Sequence, residues 1–249
     1  LWDFDRDGRL DVLIANDTHP NGFFQNLGGG RFRDAALTAA IAYDEQGLTR
    51  AGMGIDAAEV EGEVLVAIGN FSRQPLALYR WRSGWFHEIS HASGVAGPTL
   101  PSLTFGVLFA DVDLDSRLDI FSVGGHVADD IQKVQPKVAF SQPPHLFRNL
   151  GSKRFEDVIG KVGKDLARPM VSRGAAYLDA DGDGDLDLVV TANNGPAVLL
   201  RNDGGNKNRW LRVKLVGTRS NKDGIGAKVS VKLPGGATRC TANRARGRG

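Results

Sequence analysis

The sequence predicts an all-β protein built from a repeated unit of about four short strands, with a smaller β segment at its C-terminal end. Three observations predict it. First, three nine-residue segments, starting at Asp3, Asp111 and Asp179, carry Asp at positions 1, 3, 5 and 9. Second, an apolar, β-rich run follows each of them: Val12–Ala15, Ile120–Val123 and Leu188–Thr191. Third, no stretch holds a long apolar pattern of period 3.6. Ala35 to Ala42 is the only short helical candidate.

The acidic segments are read first as chemistry. Their residues are Asp3, Asp5, Asp7 and Asp11; Asp111, Asp113, Asp115 and Asp119; and Asp179, Asp181, Asp183 and Asp187. Alternate carboxylates at 1, 3 and 5 let a tight loop aim three of them at one centre. Asp at position 9 closes the shell from the far side. Position 7 (Arg9, Arg117, Asp185) offers a backbone carbonyl, so its side chain is expected to be free to vary. Carboxylates this close repel unless a cation sits among them, and an all-oxygen set of this kind suits Ca²⁺. Gly8 and Gly184 stand where the loop turns sharply, and Ser116 replaces that glycine in the second loop. An EF-hand would close with Glu at position 12. Position 12 here is Ile14, Ser122 and Val190. Apolar extended runs also precede the second and third loops, Phe105–Ala110 and Gly174–Leu178. Each loop is therefore expected to join two strands, not two helices.

The rest of the unit follows in order. A second landmark trails each loop: an apolar pair, a polar residue, then Asn26, Asn149 or Asn202 with a glycine two residues on. The first two continue into Arg31–Asp34 and Arg154–Asp157. Between Gly124 and His145 the middle unit carries an insertion of about 15 residues relative to the others. A degenerate unit lies between the first two intact ones. Gly54 matches Gly106 and Gly174, which puts Glu59, Glu61 and Glu63 at the first three ligand positions. Val64–Ile68 follows at once, so Glu61-Gly62 reads as a hairpin turn that has replaced the loop, and its glutamates as a solvated strand face without metal. Leu76–Arg80 and Trp85-Phe86 complete that unit. A unit of about 50–70 residues with four strands has the size of a propeller blade. Residues 1–205 are thus expected to form about four blades of a β-propeller, and 206–249 a small, truncated β domain.

Composition sets the outer limits. Hydrophobic residues make up 41% and charged residues 24%, which is ordinary for a globular chain. No apolar run reaches membrane-spanning length. The single cysteine, Cys240, excludes an internal disulfide and reads as an ordinary strand residue. The net charge of +2 hides an asymmetry: residues 206–249 hold 12 of the 31 Lys/Arg and one of the 29 Asp/Glu. That basic stretch lacks a recognition motif and an aromatic stacking series, so nucleic acid is not expected as a partner. Its basic residues alternate with apolar ones from Trp210 to Val216, the pattern of a half-exposed strand or of a face docked on the acidic units. Leu1 opens almost inside a loop and the chain stops after an Arg/Gly run, so both ends read as fragment edges.

The strand-flanked Gly-x-x-x-x-Asp-x-Asp-x-Asp units resemble FG-GAP/VCBS repeats, the blades of integrin-α-like propellers. Asn208 to Val229 resembles the start of an ASPIC/UnbV domain. Gly125-His126-Val127 and Gln142–Asn149, on either side of the insertion, resemble the same family. Together they look like the cartilage acidic protein (CRTAC)-like family. The resemblance implies a seven-bladed, secreted or cell-surface propeller with Ca²⁺ in its blade loops; a periplasmic home would also suit. This chain departs from it in having about four blades, one of which has lost its loop, and an ASPIC/UnbV segment that stops early.

Three functions compete. The first is a non-enzymatic, Ca²⁺-stabilised adhesion or ligand-binding scaffold, with a protein or glycan held on the propeller loops and the 124–145 insertion as the best surface. The second is a polysaccharide-active, lyase-like enzyme using His126, Asp129, Asp130 and His145, although no nucleophile motif or acid–base pair is visible. The third is a purely structural module of a larger surface protein. His19, His87 and His91 form no constellation.

Overall fold

A computed structural model describes residues 1–219, 221–222, 224, 227–232 and 238–242. Strands take 40% of the chain and helices 7%, which places it in the all-β class. Four antiparallel sheets follow one another along the chain. The first holds β1 (Val12–Ile14), β2 (Gly22–Gly28) and β3 (Arg31–Asp34). The second holds β4 (Gly52–Val60), β5 (Glu63–Asn70), β6 (Ala77–Arg82) and β7 (Trp85–Glu88). Two single-turn helices, α1 (Ser90–Ser93) and α2 (Ala96–Thr99), lead to the third sheet: β8 (Thr104–Ala110), β9 (Asp119–Gly124), β10 (His145–Gly151) and β11 (Arg154–Asp157). The fourth holds β12 (Ser172–Leu178), β13 (Asp187–Ala192) and β14 (Val198–Leu200). A separate hairpin pairs β15 (Lys228–Lys232) with β16 (Thr238–Ala242), setting Cys240 opposite Ser230.

Each sheet is a meander, because neighbouring strands are also neighbours in sequence, joined by short turns except at the 125–144 connection between β9 and β10. The predicted hairpin at Glu61-Gly62 is present: both residues have positive φ, +50° and +79°, as a two-residue primed turn requires. The helical expectation at Ala35–Ala42 is not met. One backbone bond of helical spacing, from Ala39 N to Ala35 O, is followed by Ala40 at φ +58°, which ends the turn. Ala35, Ala36, Ala39 and Ala42 are buried for packing, not for helix propensity, and Ala40 is exposed. Residues 233–237 and 243–249 of the expected C-terminal domain, with 220, 223, 225 and 226, lie outside the described residues.

One apolar core lies between each pair of successive sheets. Phe4 and Phe23 of the first unit meet Val64, Val66, Ile68, Tyr79 and Phe86 of the second. Leu65, Ala67 and Leu78 on the opposite face of that second sheet meet Phe109, Ile120, Phe147 and Phe155 of the third. Leu108, Phe121, Val123 and Leu146 of the third meet Leu188 and Val190 of the fourth. Central strands are therefore covered on both faces, which is why β5 reads as an apolar run and β9 as one interrupted only by the buried Ser122, and not as alternating ones.

The first strands of the sheets also run side by side: β4 packs against β8, and β8 against β12. The repeated glycine makes this approach possible. A Cβ on Gly54 would lie 2.0 Å from the Phe105 carbonyl oxygen, and one on Gly106 would lie 3.0 Å from Ala175 N. Asp56 fastens the first contact, its Oδ2 accepting the Phe109 N–H at 2.8 Å.

Candidate metal centres

The second and third loops span a strand-to-strand turn, β8 to β9 and β12 to β13, as expected; the first enters through a bridge between Trp2 and Asp11. The first two loops share one internal wiring. Asp3 accepts the N–H groups of Asp7 at 3.0 Å and Gly8 at 2.9 Å. Asp111 accepts those of Asp115 at 3.0 Å and Ser116 at 2.9 Å. Ser116 takes φ +70° where Gly8 takes +86°, so the serine has been forced into the glycine conformation and the loop keeps its shape. In the third loop Asp179 accepts the Gly182 N–H at 2.7 Å, and Gly184 stands at φ +101°.

Three carboxylates converge in each loop, with one oxygen apiece within 4.8 Å of the others. The sets are Asp3, Asp5 and Asp7; Asp111, Asp113 and Asp115; and Asp179, Asp181 and Asp187. The donors are all hard oxygens, which suits a Ca²⁺-sized cation and not a soft one. Asp183 stands outside the third set and accepts the side-chain amide of Asn206 at 2.8 Å.

The closing aspartates do something the sequence did not disclose. Both carboxylate oxygens of Asp119 accept backbone N–H groups, from Val112 at 3.2 Å and from Asn149 at 2.8 Å. Asp11 does the same with Phe4 and Asn26, and Asp187 with Ala180 and Asn202. Position 9 thus ties its loop to the Asn landmark on the neighbouring strand, which explains why the two motifs recur at linked spacing. Burial pushes the Asp119 carboxyl up to about 7, against the two amides that favour its charged form, with Asp113 and Asp111 adding repulsion. Burial likewise raises Asp111 to about 6, aided by Asp115 and Asp113, and raises Asp11.

Position 7 is not idle, contrary to expectation. Arg9 bridges the Asp7 carboxylate and the Asn26 carbonyl, with Nε 2.9 Å from the latter. Arg117 does the same between Asp115 and the Asn149 carbonyl, again at 2.9 Å. Asp185 is fully buried in the third loop; its Oδ2 accepts the Asn206 N–H at 3.1 Å and its Oδ1 has no hydrogen-bond partner. Burial, then Asp183, raises its pKa. Only a contact with a residue far along the chain could have revealed these arrangements, and no spacing rule signals one.

In the degenerate unit Glu61 and Glu63 are not merely a solvated face. Lys153, from the β10–β11 turn of the next sheet, places Nζ 2.6 Å from Glu63 and 3.8 Å from Glu61.

The residues of the enzyme reading are dispersed in role. His126 is buried, with Ala128 N–H 3.0 Å from its Nδ1, while Asp129 and Asp130 are not buried. The 124–145 insertion is only partly a surface loop: Gly125 bridges Ser141, and Ile131 and Val138 are buried. His145 stands in a Ser–His–Asp arrangement that the sequence did not suggest. Its Nε2 lies 2.9 Å from Ser102 Oγ and its Nδ1 2.7 Å from Asp157. The imidazole stacks on Phe147, and all three groups are largely covered. Neither a cleft of about 770 Å³ between the third and fourth sheets nor a smaller one at Phe4 and Trp81 is lined by these residues. The arrangement ties the turn after α2 to the outer strands of the third sheet. Among the described residues no helix is long and apolar enough to cross a membrane.

No protein-family model matches the chain. Cartilage acidic protein 1 of Homo sapiens is 30% identical over 230 residues, 88% of this chain and 32% of that protein. The Mus musculus protein of that name is 29% identical over 230 residues, and the Xenopus tropicalis one 26% over 231. The chain spans about a third of the length of the curated relatives it matches.

Proposed function

We propose that the chain is part of a cartilage acidic protein-like protein and serves as a Ca²⁺-stabilised, non-enzymatic extracellular scaffold. In this reading the four sheets are FG-GAP/VCBS blades of a propeller, and 206–249 opens an ASPIC/UnbV domain. The likeness to the three relatives supports the family. The face-to-face stacking of the sheets and the meeting of β4, β8 and β12 along one line support the propeller.

The observation that carries the function is the position of the triads. Each lies in the turn between two strands of one sheet, or beside β1, and is wired to the next strand through the closing Asp and the Asn landmark. A cation there fixes strand register. Asp3, Asp5 and Asp7, Asp111, Asp113 and Asp115, and Asp179, Asp181 and Asp187 would supply the side-chain ligands, with the carbonyls of Arg9, Arg117 and Asp185 beside them. Asp11 and Asp119 would act through the backbone they hold. A protein or glycan partner would then be read by the loops that the blades keep in place. Calorimetry with CaCl₂ on the metal-stripped chain tests the reading: about three ions should bind, one for each intact loop, and the melting temperature should rise. Absence of binding, or preferential retention of Zn²⁺, overturns it.

A further inference from the structure

The strands β4, β8 and β12 each carry a β-bulge near their start, at the end away from the acidic or degenerate turn. In β8 the unpaired residue is Phe105, between Thr104 and Gly106. In β12 it is Arg173, between Ser172 and Gly174. A bulged residue leaves the strand pairing and its side chain is re-aimed, which is why bulges gather beside binding sites. At this recurring place one repeat carries an aromatic ring and the next a guanidinium.

Arg173 is held in a fixed pose. Its Nη1 donates to the carbonyls of Gly125 at 3.1 Å and Ser172 at 2.7 Å, and its Nη2 to that of His126 at 3.3 Å. The guanidinium carbon lies 4.2 Å from the centroid of the Phe105 ring. These three bonds leave two of its five N–H groups, Nε–H among them, without an acceptor among the described residues. No carboxylate pairs with it there either. Arg50 is the contrast: it is also partly buried, and both its terminal nitrogens reach Glu88, at 3.0 and 2.9 Å. Burial lowers the Arg173 pKa, and no neighbouring carboxylate opposes that shift. A half-buried cation of this kind is ordinarily paired.

The loop that supplies two of those carbonyls holds a further donor without an acceptor. His126 Nδ1 accepts the Ala128 N–H at 3.0 Å, so the neutral ring carries its proton on Nε2. That nitrogen is buried and unpartnered. The ring packs edge-on against Phe71, with centroids 5.5 Å apart. The strand ends that carry Phe71 and Phe105 adjoin, since a Cβ on Gly69 would lie 2.6 Å from the Thr104 carbonyl oxygen.

We propose that Arg173, with His126 beside it, forms a carboxylate-binding site whose ligand is an acidic side chain of a protein partner. Two free N–H groups on one preset guanidinium match the two oxygens of a carboxylate. A lone guanidinium balances one negative charge, which suits a carboxylate better than a dianionic phosphate. The Phe105 face on which a sugar ring would stack is already covered by the guanidinium, so a side-chain carboxylate fits better than a uronic acid. The inference rests on the scaffold reading above and names the chemistry of its partner.

The test uses the whole chain with ¹⁵N-labelled arginine and histidine, titrated with N-acetylglutamate α-amide. N-acetylglutamine α-amide is the neutral control and glucuronate the sugar arm. Arg173→Lys assigns the Arg173 Nε–H resonance by its loss. That resonance and the His126 ring should shift saturably with the glutamate compound and stay in place with the glutamine one. Arg173→Lys keeps the charge but not the fork, and should weaken the binding read at His126 about tenfold, the scale of one charged hydrogen bond. Should that variant unfold, the wild-type contrast between the two amides decides. Equal shifts with both amides, or none with either while the acidic loops still bind Ca²⁺, overturn the site and leave the Ca²⁺ reading intact. Tighter binding of glucuronate than of the glutamate compound overturns the protein partner in favour of an acidic glycan.

Discussion

Lys153 holds its ammonium 2.6 Å from the Glu63 carboxylate, across the gap between the second and third sheets and at the one repeat that has lost its acidic loop. A fixed side-chain cation stands where the other repeats place clustered carboxylates. The pair also lowers the Glu63 pKa, chiefly through the hydrogen bond from Lys153. A depressed carboxyl contributes stability that is present above its unfolded value of 4.5 and lost as pH falls through the folded one.

The expected coupling in a double-mutant cycle of Lys153→Met and Glu63→Gln is about 0.5–1 kcal/mol, reduced by the partial exposure of both groups. It should be the same in Ca²⁺ and in EDTA. A coupling that vanishes when Ca²⁺ is removed would show that this repeat also holds metal.

Asp119 and Asp5 separate wiring from metal binding. Asp119→Ala leaves the Val112 and Asn149 N–H groups without their acceptor in a buried site, at a cost of about 2–5 kcal/mol. Chemical denaturation should show that loss with or without Ca²⁺. Asp5→Asn keeps an acceptor for the Asp7 N–H, so stability in EDTA should barely change while the Ca²⁺-induced rise in melting temperature shrinks. Equal effects of the two substitutions in EDTA would remove the distinction.

Most of the strand order was legible because the loops and Asn landmarks recur in the same order and an apolar run follows each loop. The clustering of aspartates in the three loops was legible for the same reason, but not which three converge, with Asp187 and not Asp183 in the third. Lys153 was not legible, since it joins residues from different units whose meeting depends on how sheets stack; the Ser102–His145–Asp157 contact was not, since it joins residues far apart in sequence around one sheet. Ala35–Ala42 misled because buried alanines satisfy a helical pattern while Ala40 adopts a left-handed turn. Gly54 was placed correctly by alignment of the units, but its purpose, the approach of β4 to β8, needed the neighbouring strand.

Ser116→Gly should stabilise the chain. Ser116 sits at φ +70°, a conformation that costs an L-residue about 1–2 kcal/mol and glycine much less. Part of that gain is offset by the greater freedom of glycine in the unfolded chain. A net gain of about 0.5–1 kcal/mol in urea unfolding is expected. A destabilised variant would mean that the serine side chain has a role in the second loop.

Gly54→Ala should be far more damaging than an average glycine substitution. The added methyl would stand 2.0 Å from the Phe105 oxygen, which is backbone and cannot rotate away. Overpacking of this kind costs about 1–3 kcal/mol or more, and here it would part β4 from β8. Gly62→Ala, at an open turn with nothing within 4 Å, is the control for backbone strain alone. Comparable melting temperatures for the two variants would refute the close-approach role of Gly54.

Tyr79 supplies a test at alkaline pH. Burial pushes its phenol up to about 12 from 10.0, opposed by the nearby Arg50 and aided by Glu88. The folded chain therefore binds this proton more tightly than the unfolded one. Its contribution is fully present below pH 10 and is lost as pH rises through the folded value. Between pH 10 and 11 the loss approaches about 1.4 kcal/mol for each pH unit. Lysines titrate in the same range, so the measurement is the difference between wild type and Tyr79→Phe in urea unfolding at pH 9, 10 and 11. Wild type should lose stability faster than the phenylalanine variant, and ultraviolet titration should show a late-ionising phenol that Tyr79→Phe removes. Parallel stability curves, with no late-ionising phenol lost in Tyr79→Phe, would place the Tyr79 hydroxyl in solvent and open the core between the first two sheets to revision.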